Sequence, residues 1–185
     1  MREPVTAAGP GRKGRIYTLS ATALMTAVTC ILAPLSLPIG PVPVTLTNLV
    51  IYLSLYLLGW RCAAVSCAVY ILLGLAGLPV FSGFSGGFGK LAGPTGGYII
   101  GFLPMAVAAG LIISHTKKRI LHFLAMAAGT ALCYALGTAW FCVVMDASPA
   151  AALAACVLPF IPGDILKMLL ALLAGPAVRK RIRFL

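Results

Sequence analysis

Six stretches of this chain, at 16–37, 45–59, 62–78, 96–114, 120–145 and 159–178, are apolar and almost free of charge, and nearly all of the charge lies between them. A helix needs about 20 apolar residues to cross the hydrocarbon core of a bilayer, with roughly 17 to 25 tolerated. Only 9% of the residues are charged, where a soluble domain carries about a quarter. A chain of 185 residues with 61% hydrophobic content also has too much surface for its volume to bury that content on its own. Lipid is the solvent these segments suit. The expected fold is an all-α membrane protein, a bundle of six transmembrane helices.

The net charge of +11 would suit nucleic acid if the cations formed one face, but they do not. Twelve of the fourteen Lys and Arg fall into four groups: Arg2, Arg12, Lys13 and Arg15; Arg61; Lys117, Lys118 and Arg119; and Arg179, Lys180, Arg181 and Arg183. Counted from a cytoplasmic amino terminus, the groups lie before helix one, between two and three, between four and five, and after six. The alternate loops carry only Lys90 and Asp146 as charged residues. By the positive-inside rule, both termini are cytoplasmic and nucleic acid is not a partner. The organisation that follows is a basic cytoplasmic tail at 1–15, a single membrane domain at 16–178 and a basic cytoplasmic tail at 179–185. Reading the first apolar run as a cleaved signal would leave five spans and put the remaining basic groups on mismatched sides, so it is kept as a helix.

The connections are uneven. Gly59-Trp60-Arg61 places a breaker, an interfacial aromatic and a cation in succession, which predicts a tight cytoplasmic turn. The outer loop at 36–45 is proline-rich, and that at 81–97 is glycine-rich, apolar and nearly uncharged. Solvated spacers are richer in Ser and charge, so both loops are expected to fold onto the helix ends, where they could form a lid. The run 146–158 reads equally as a short surface helix or a plain connection, since Pro-Phe-Ile-Pro-Gly follows it.

Outside the tail, which holds Glu3, the acidic residues are Asp146 and Asp164. Asp164 lies three positions before Lys167 in Pro162-Gly-Asp-Ile-Leu-Lys167, so on a helix the two share a face in the outer half. An ionisable residue within a span costs about 2.5–3.5 kcal/mol on insertion scales and tends to face a cavity. The pair reads either as a self-neutralising salt bridge that fixes packing or as a polar anchor for a ligand. No enzyme constellation accompanies it: HExxH, GxSxG and the Walker GxxxxGK[ST] are absent, so any nucleotide hydrolysis must come from a partner. The six cysteines lack metal or CxxC spacing and read as packing residues; no metal site or cofactor is expected. His115 and His122 flank the basic turn and read as membrane-surface residues. Ala23 and Ala27 sit four apart in the first helix, a spacing that allows close helix approach, within the bundle or against another subunit.

At these residues the sequence resembles the BioY family, the biotin-specific substrate-binding (S) components of energy-coupling-factor transporters. The resemblance runs from about residue 20 to 178. It is carried by Ala23-Leu-Met-Thr-Ala27, Pro41-Val-Pro-Val-Thr-Leu46, Gly77-Leu-Pro-Val-Phe81, Gly93-Pro-Thr-Gly-Gly-Tyr98 with Gly101-Phe102, and Pro159-Phe-Ile-Pro-Gly-Asp-Ile-Leu-Lys167; the last two blocks are the most specific. It implies a subunit of a prokaryotic plasma membrane that captures biotin at its outer face. It also implies a membrane coupling (T) subunit and two cytoplasmic ATPases as partners. Asp164 and Lys167 match the family's ligand-contacting pair, and Ala23 and Ala27 its docking motif. Tyr98, Phe81, Phe84 and Phe88 are candidates for apolar walls or for packing, Gly97 in the signature is a candidate ligand contact, Thr45, Thr47 and Asn48 are candidate polar contacts, and Lys90 is a candidate to attract the carboxylate. One departure stands out: the family commonly has Gln where Thr47 precedes Asn48, so a Gln contact does not carry over. Another small vitamin as ligand and a purely structural subunit remain the alternatives.

Overall fold

A computed structural model describes residues 12–37 and 42–182. Residues 1–11, Arg2 among them, positions 38–41 in the proline-rich loop, and the last three residues, Arg183 among them, lie outside the described residues. The elements in chain order are α1 (Arg12–Leu32), a two-stranded hairpin of β1 (Ser36–Leu37) and β2 (Val44–Thr45), α2 (Thr47–Leu58), α3 (Trp60–Leu75), α4 (Phe88–Ala92), α5 (Gly96–His115), α6 (Arg119–Met145), α7 (Pro149–Cys156) and α8 (Ile161–Ile182). A helix forms at each of the six apolar runs. Four of them, α1, α5, α6 and α8, are long and apolar enough to cross a membrane by length and composition. α2 and α3, at 12 and 16 residues, are shorter than the expected runs.

The shortening has local causes. Ser36 pairs with Thr45 and Leu37 with Val44 in antiparallel register, so the ends of the first two runs become strands rather than helix. At the other end of α2, Gly59 sits at φ 81°, ψ 168°. That conformation strains any residue with a Cβ, and it both ends α2 and starts α3 with no spacer. α2 spans about 18 Å at 1.5 Å per residue, less than a hydrocarbon core of about 30 Å. Nine of its residues are buried, so its backbone is sheltered by protein rather than lipid. α1 starts earlier than expected, at Arg12, and α8 runs on to Ile182, so parts of both basic tails are helical. The run after Asp146 contains a helix: Ser148 caps α7 by accepting from the Ala151 amide at 3.4 Å, with Pro149 in the first turn.

The outer surface of the bundle is apolar, unlike that of a soluble protein. Leu19, Leu24, Ile31, Leu72, Ile120, Leu124, Val143 and Leu173 are each more than half exposed, a spread of outward apolar surface that water-soluble monomers avoid. The interior is also largely apolar but includes paired hydroxyls. Tyr52, fully buried, donates to the Met126 carbonyl at 3.0 Å and pairs with the Thr130 hydroxyl, tying α2 to α6. Thr26 Oγ1 lies 2.9 Å from Ser66 Oγ and ties α1 to α3.

α5 and α6 pack closely through glycines. A Cβ added at Gly137 would stand 2.2 Å from Tyr98 Cδ1, and one at Gly97 would stand 2.3 Å from Trp140 Cβ. Small residues at such a seam let backbones approach. Gly137→Val is expected to destabilise the bundle by about 1–3 kcal/mol through overpacking. It should also displace Tyr98; thermal unfolding of the detergent-solubilised protein measures the first effect.

The loop between α3 and α5 folds onto the helix ends as expected. Phe81 is fully buried, its ring 5.5 Å from that of Tyr70 in an edge-on contact. Gly83 donates to the Pro34 carbonyl at 3.1 Å and Gly87 to that of Gly74 at 2.7 Å.

Candidate functional site

The first turn of α8 carries Asp164, the first turns of α2 carry Asn48, and the middle of α6 carries Tyr134; the three meet at one carboxylate. Lys167 Nζ is 2.8 Å from Asp164 Oδ1. Asn48 Nδ2 donates to Oδ2 at 3.1 Å, and the Tyr134 hydroxyl donates to the same oxygen. Asp164 is 4% exposed and Lys167 8%. An ionised carboxylate only accepts, so the Asn48 amide must turn its nitrogen to Asp164, leaving its oxygen as an acceptor elsewhere. Lys167 has three N–H donors and spends one on Asp164. The cluster is neutral overall, with donors on Lys167 and an acceptor on Asn48 still available.

These groups line a chamber of about 50 Å³, walled by Val42, Pro43 and Thr45 from the hairpin, Tyr98, Phe102 and Met105 from α5, Cys133 from α6, and Cys156 and Phe160 near α7. Beside it is a second chamber of about 40 Å³ in which Thr47, Tyr70, Ser82 and Thr95 supply hydroxyls. Val42, Pro43, Thr45, Tyr98 and Phe102 line both and form the partition. Each chamber has room for only a few water molecules.

The sequence-derived residues therefore divide. Asp164, Lys167, Asn48, Thr45 and Tyr98 converge on the chambers. Gly97 does not line either; it packs against Trp140. Phe81 belongs to the cluster around Tyr70 and Ala33. Lys90 lies on α4, and Phe84 and Phe88 are 66% and 73% exposed, all away from both chambers. Tyr134, Phe160, Phe102 and Tyr70 were not singled out by sequence reasoning as polar or wall residues. For Tyr134 a signal existed: a Tyr four residues after Thr130 in an otherwise apolar helix places two hydroxyls on one face.

Ala23 and Ala27 are exposed and line an apolar groove of about 530 Å³ between α1 and α3, with Leu19, Val65, Val69 and Leu73 on its sides. Among the described residues no group of His, Cys, Asp and Glu is placed to hold a metal ion, and all six cysteines are free thiols.

Comparison with known proteins gives consistent matches. The sequence pattern of the BioY family matches residues 7–184. The biotin transporter BioY of Thermotoga maritima is 36% identical over 160 residues, covering 85% of this chain and 92% of the relative. The biotin transporter BioY2 of Lactococcus lactis is 34% identical and covers 89% and 91%. A crystal structure of the S-component for biotin from an ECF-type ABC transporter superposes with a TM-score of 0.84 at 31% identity, covering 92% of this chain and 94% of that one.

Proposed function

The chain belongs to the BioY family, and from that premise we propose that its Asp164 cluster is the place where biotin is held. The protein is the biotin-binding S component of an energy-coupling-factor transporter and not an enzyme. The observation that carries the site assignment is the neutral, buried cluster of Asp164, Lys167, Asn48 and Tyr134, in which donors and acceptors remain to spare beside a small chamber.

Electrostatics orient the ligand. Lys167 already neutralises Asp164, so the cluster has no net positive charge to offset a second carboxylate taken out of water. The uncharged ureido ring therefore faces the cluster. Lys167 Nζ donates to the ureido oxygen, and the Asn48 side-chain oxygen accepts a ureido N–H. Asp164 then acts through Lys167 and Asn48, with both of its oxygens already engaged. The valeryl tail crosses between Tyr98 and Phe102, and the carboxylate is received by the hydroxyls of Thr45, Thr47, Ser82 and Thr95. Neither chamber alone holds a bicyclic ligand, so entry displaces the partition at Val42–Thr45. Backbone amides at 44–46 should gain hydrogen-exchange protection when biotin binds.

Six helices cross the membrane, with α2 sheltered by its neighbours. Both ends are cytoplasmic, which puts the Arg61, Lys117–Arg119 and Arg179–Arg181 groups on the cytoplasmic side of the plasma membrane and Asp164 on the outer side. Uptake then requires a membrane coupling subunit, seated on the Ala23 and Ala27 groove, and two ATPase subunits to hydrolyse the nucleotide. The chain itself needs no cofactor.

Equilibrium binding of labelled biotin to the purified wild-type protein tests the reading. Tight, saturable binding is expected, and its absence would overturn it. Tyr134→Phe removes one donor to a buried carboxylate and should weaken binding by about tenfold, since a hydrogen bond to a charged group contributes about 1.5–3 kcal/mol. An unchanged dissociation constant would remove Tyr134 from the cluster's function.

A further inference from the structure

At the end of the bundle opposite Asp164, the Gly59 turn, the end of α5, the start of α6 and the end of α8 enclose a cavity of about 630 Å³. Tyr56, Ser114, Thr116, Lys117, His122 and Arg179 line it, with Leu55 and Trp60 as apolar wall. The biotin reading makes no use of this space.

His122 is held at both ring nitrogens. Nε2 is 3.1 Å from the Thr116 carbonyl and Nδ1 3.2 Å from the Tyr56 hydroxyl. A carbonyl only accepts, so Nε2 carries a proton, and in the neutral ring Nδ1 accepts from Tyr56. The imidazole thereby anchors the turn bearing Thr116 and Lys117 to α2. Thr116 Oγ1 is buried and makes no hydrogen bond among the described residues, although buried hydroxyls as a rule find partners.

Charge at this end is one-sided. Lys117 lines the cavity, and Lys118 and Arg119 follow it in the chain. The two carboxylate side chains among the described residues, Asp146 closing α6 and Asp164 opening α8, belong to the other end. Among the described residues no Asp or Glu lies at this end, so the wall that Lys117 presents suits an anion.

We propose that this cavity binds a phosphate-bearing anion, with the Lys117 ammonium and the Thr116 hydroxyl as donors and the Tyr56–His122 pair holding the turn in place. A phosphate presents strong acceptors to an ammonium and a hydroxyl, and the Leu55 and Trp60 side leaves room for attached carbon. A phospholipid headgroup and free phosphate share this chemistry.

Native mass spectrometry of the purified full-length protein in uncharged detergent, titrated with phosphatidylglycerol, tests the site, with diacylglycerol as the phosphate-free control. Phosphatidylglycerol should bind and diacylglycerol should not. Lys117→Gln, at an exposed position that does not hold the fold together, should weaken binding by about tenfold, as expected for loss of a charge-assisted hydrogen bond. Thr116→Val should weaken it severalfold. Arg61→Gln, at the same end but outside the cavity, should change it little, and biotin affinity should stay at the wild-type value in all three. Displacement by inorganic phosphate would identify the free anion as a sufficient ligand; persistence of the lipid in excess phosphate would identify the headgroup. Failure of both probes to bind the wild type, or equal binding by wild type and Lys117→Gln, would overturn the proposal.

Discussion

Replacing Asp164 by Ala is expected to reduce biotin affinity by a factor of at least about 100. The carboxylate receives Lys167, Asn48 and Tyr134 together. Without it the Lys167 ammonium, 8% exposed, loses its partner, and breaking a buried ion pair by removing one member costs about 3–5 kcal/mol. Asn48 and Tyr134 also lose the acceptor that orients them. A double variant separates ligand binding from simple destabilisation. Asp164→Leu with Lys167→Met removes both charges, and apolar replacement of a buried pair is often neutral or stabilising. The double variant should therefore unfold at a higher temperature than Asp164→Ala yet still fail to bind biotin. Recovery of binding along with stability would mean that the pair only holds the helix in place.

Enlarging Ala23 and Ala27 together to Leu should leave biotin affinity within about twofold of wild type while lowering uptake by the assembled transporter at least about tenfold. Both residues are exposed, and their groove between α1 and α3 contains no side chain from the Asp164 chamber. Two added isobutyl groups would fill the groove and hold a partner helix away from the backbone, where close packing supplies much of the association energy in lipid. Binding to purified protein and uptake by cells carrying the full complex measure the two halves. Normal uptake with the filled groove would exclude this surface as the docking site.

Much of this architecture could be read from residue order, because lipid imposes a coarse rule: long apolar runs become helices. The runs at 96–114 and 120–145 came out nearly to the residue. Boundaries failed where a local device overrode hydropathy. Leu37 and Val44 are as apolar as any helix residue but pair as strands beside the prolines, and Gly59 turns the chain in one residue. In the candidate site, Asp164 and Lys167 stand out in the sequence because charge in an apolar helix is conspicuous. Asn48 joins them across 116 positions of chain, a proximity that only tertiary packing creates. Tyr134 was hidden because an aromatic in a membrane helix ordinarily reads as bulk. Gly97 and Phe81 share loops and signatures with the site but pack against Trp140 and Tyr70, and Lys90 lines neither chamber, differences that adjacency in sequence does not reveal.

The one-residue joint at Gly59 has a mechanical consequence. It links α2, which carries Asn48 at its far end, to α3, which forms one side of the groove with Ala23 and Ala27. With no slack between them, the two helices are joined like the arms of a bell crank, so that a tilt of α2, were ligand binding to cause one, would be carried into the α3 arm. Lengthening the joint by a few flexible residues would disconnect the arms, leaving a protein that fills its site but no longer reports that it is full.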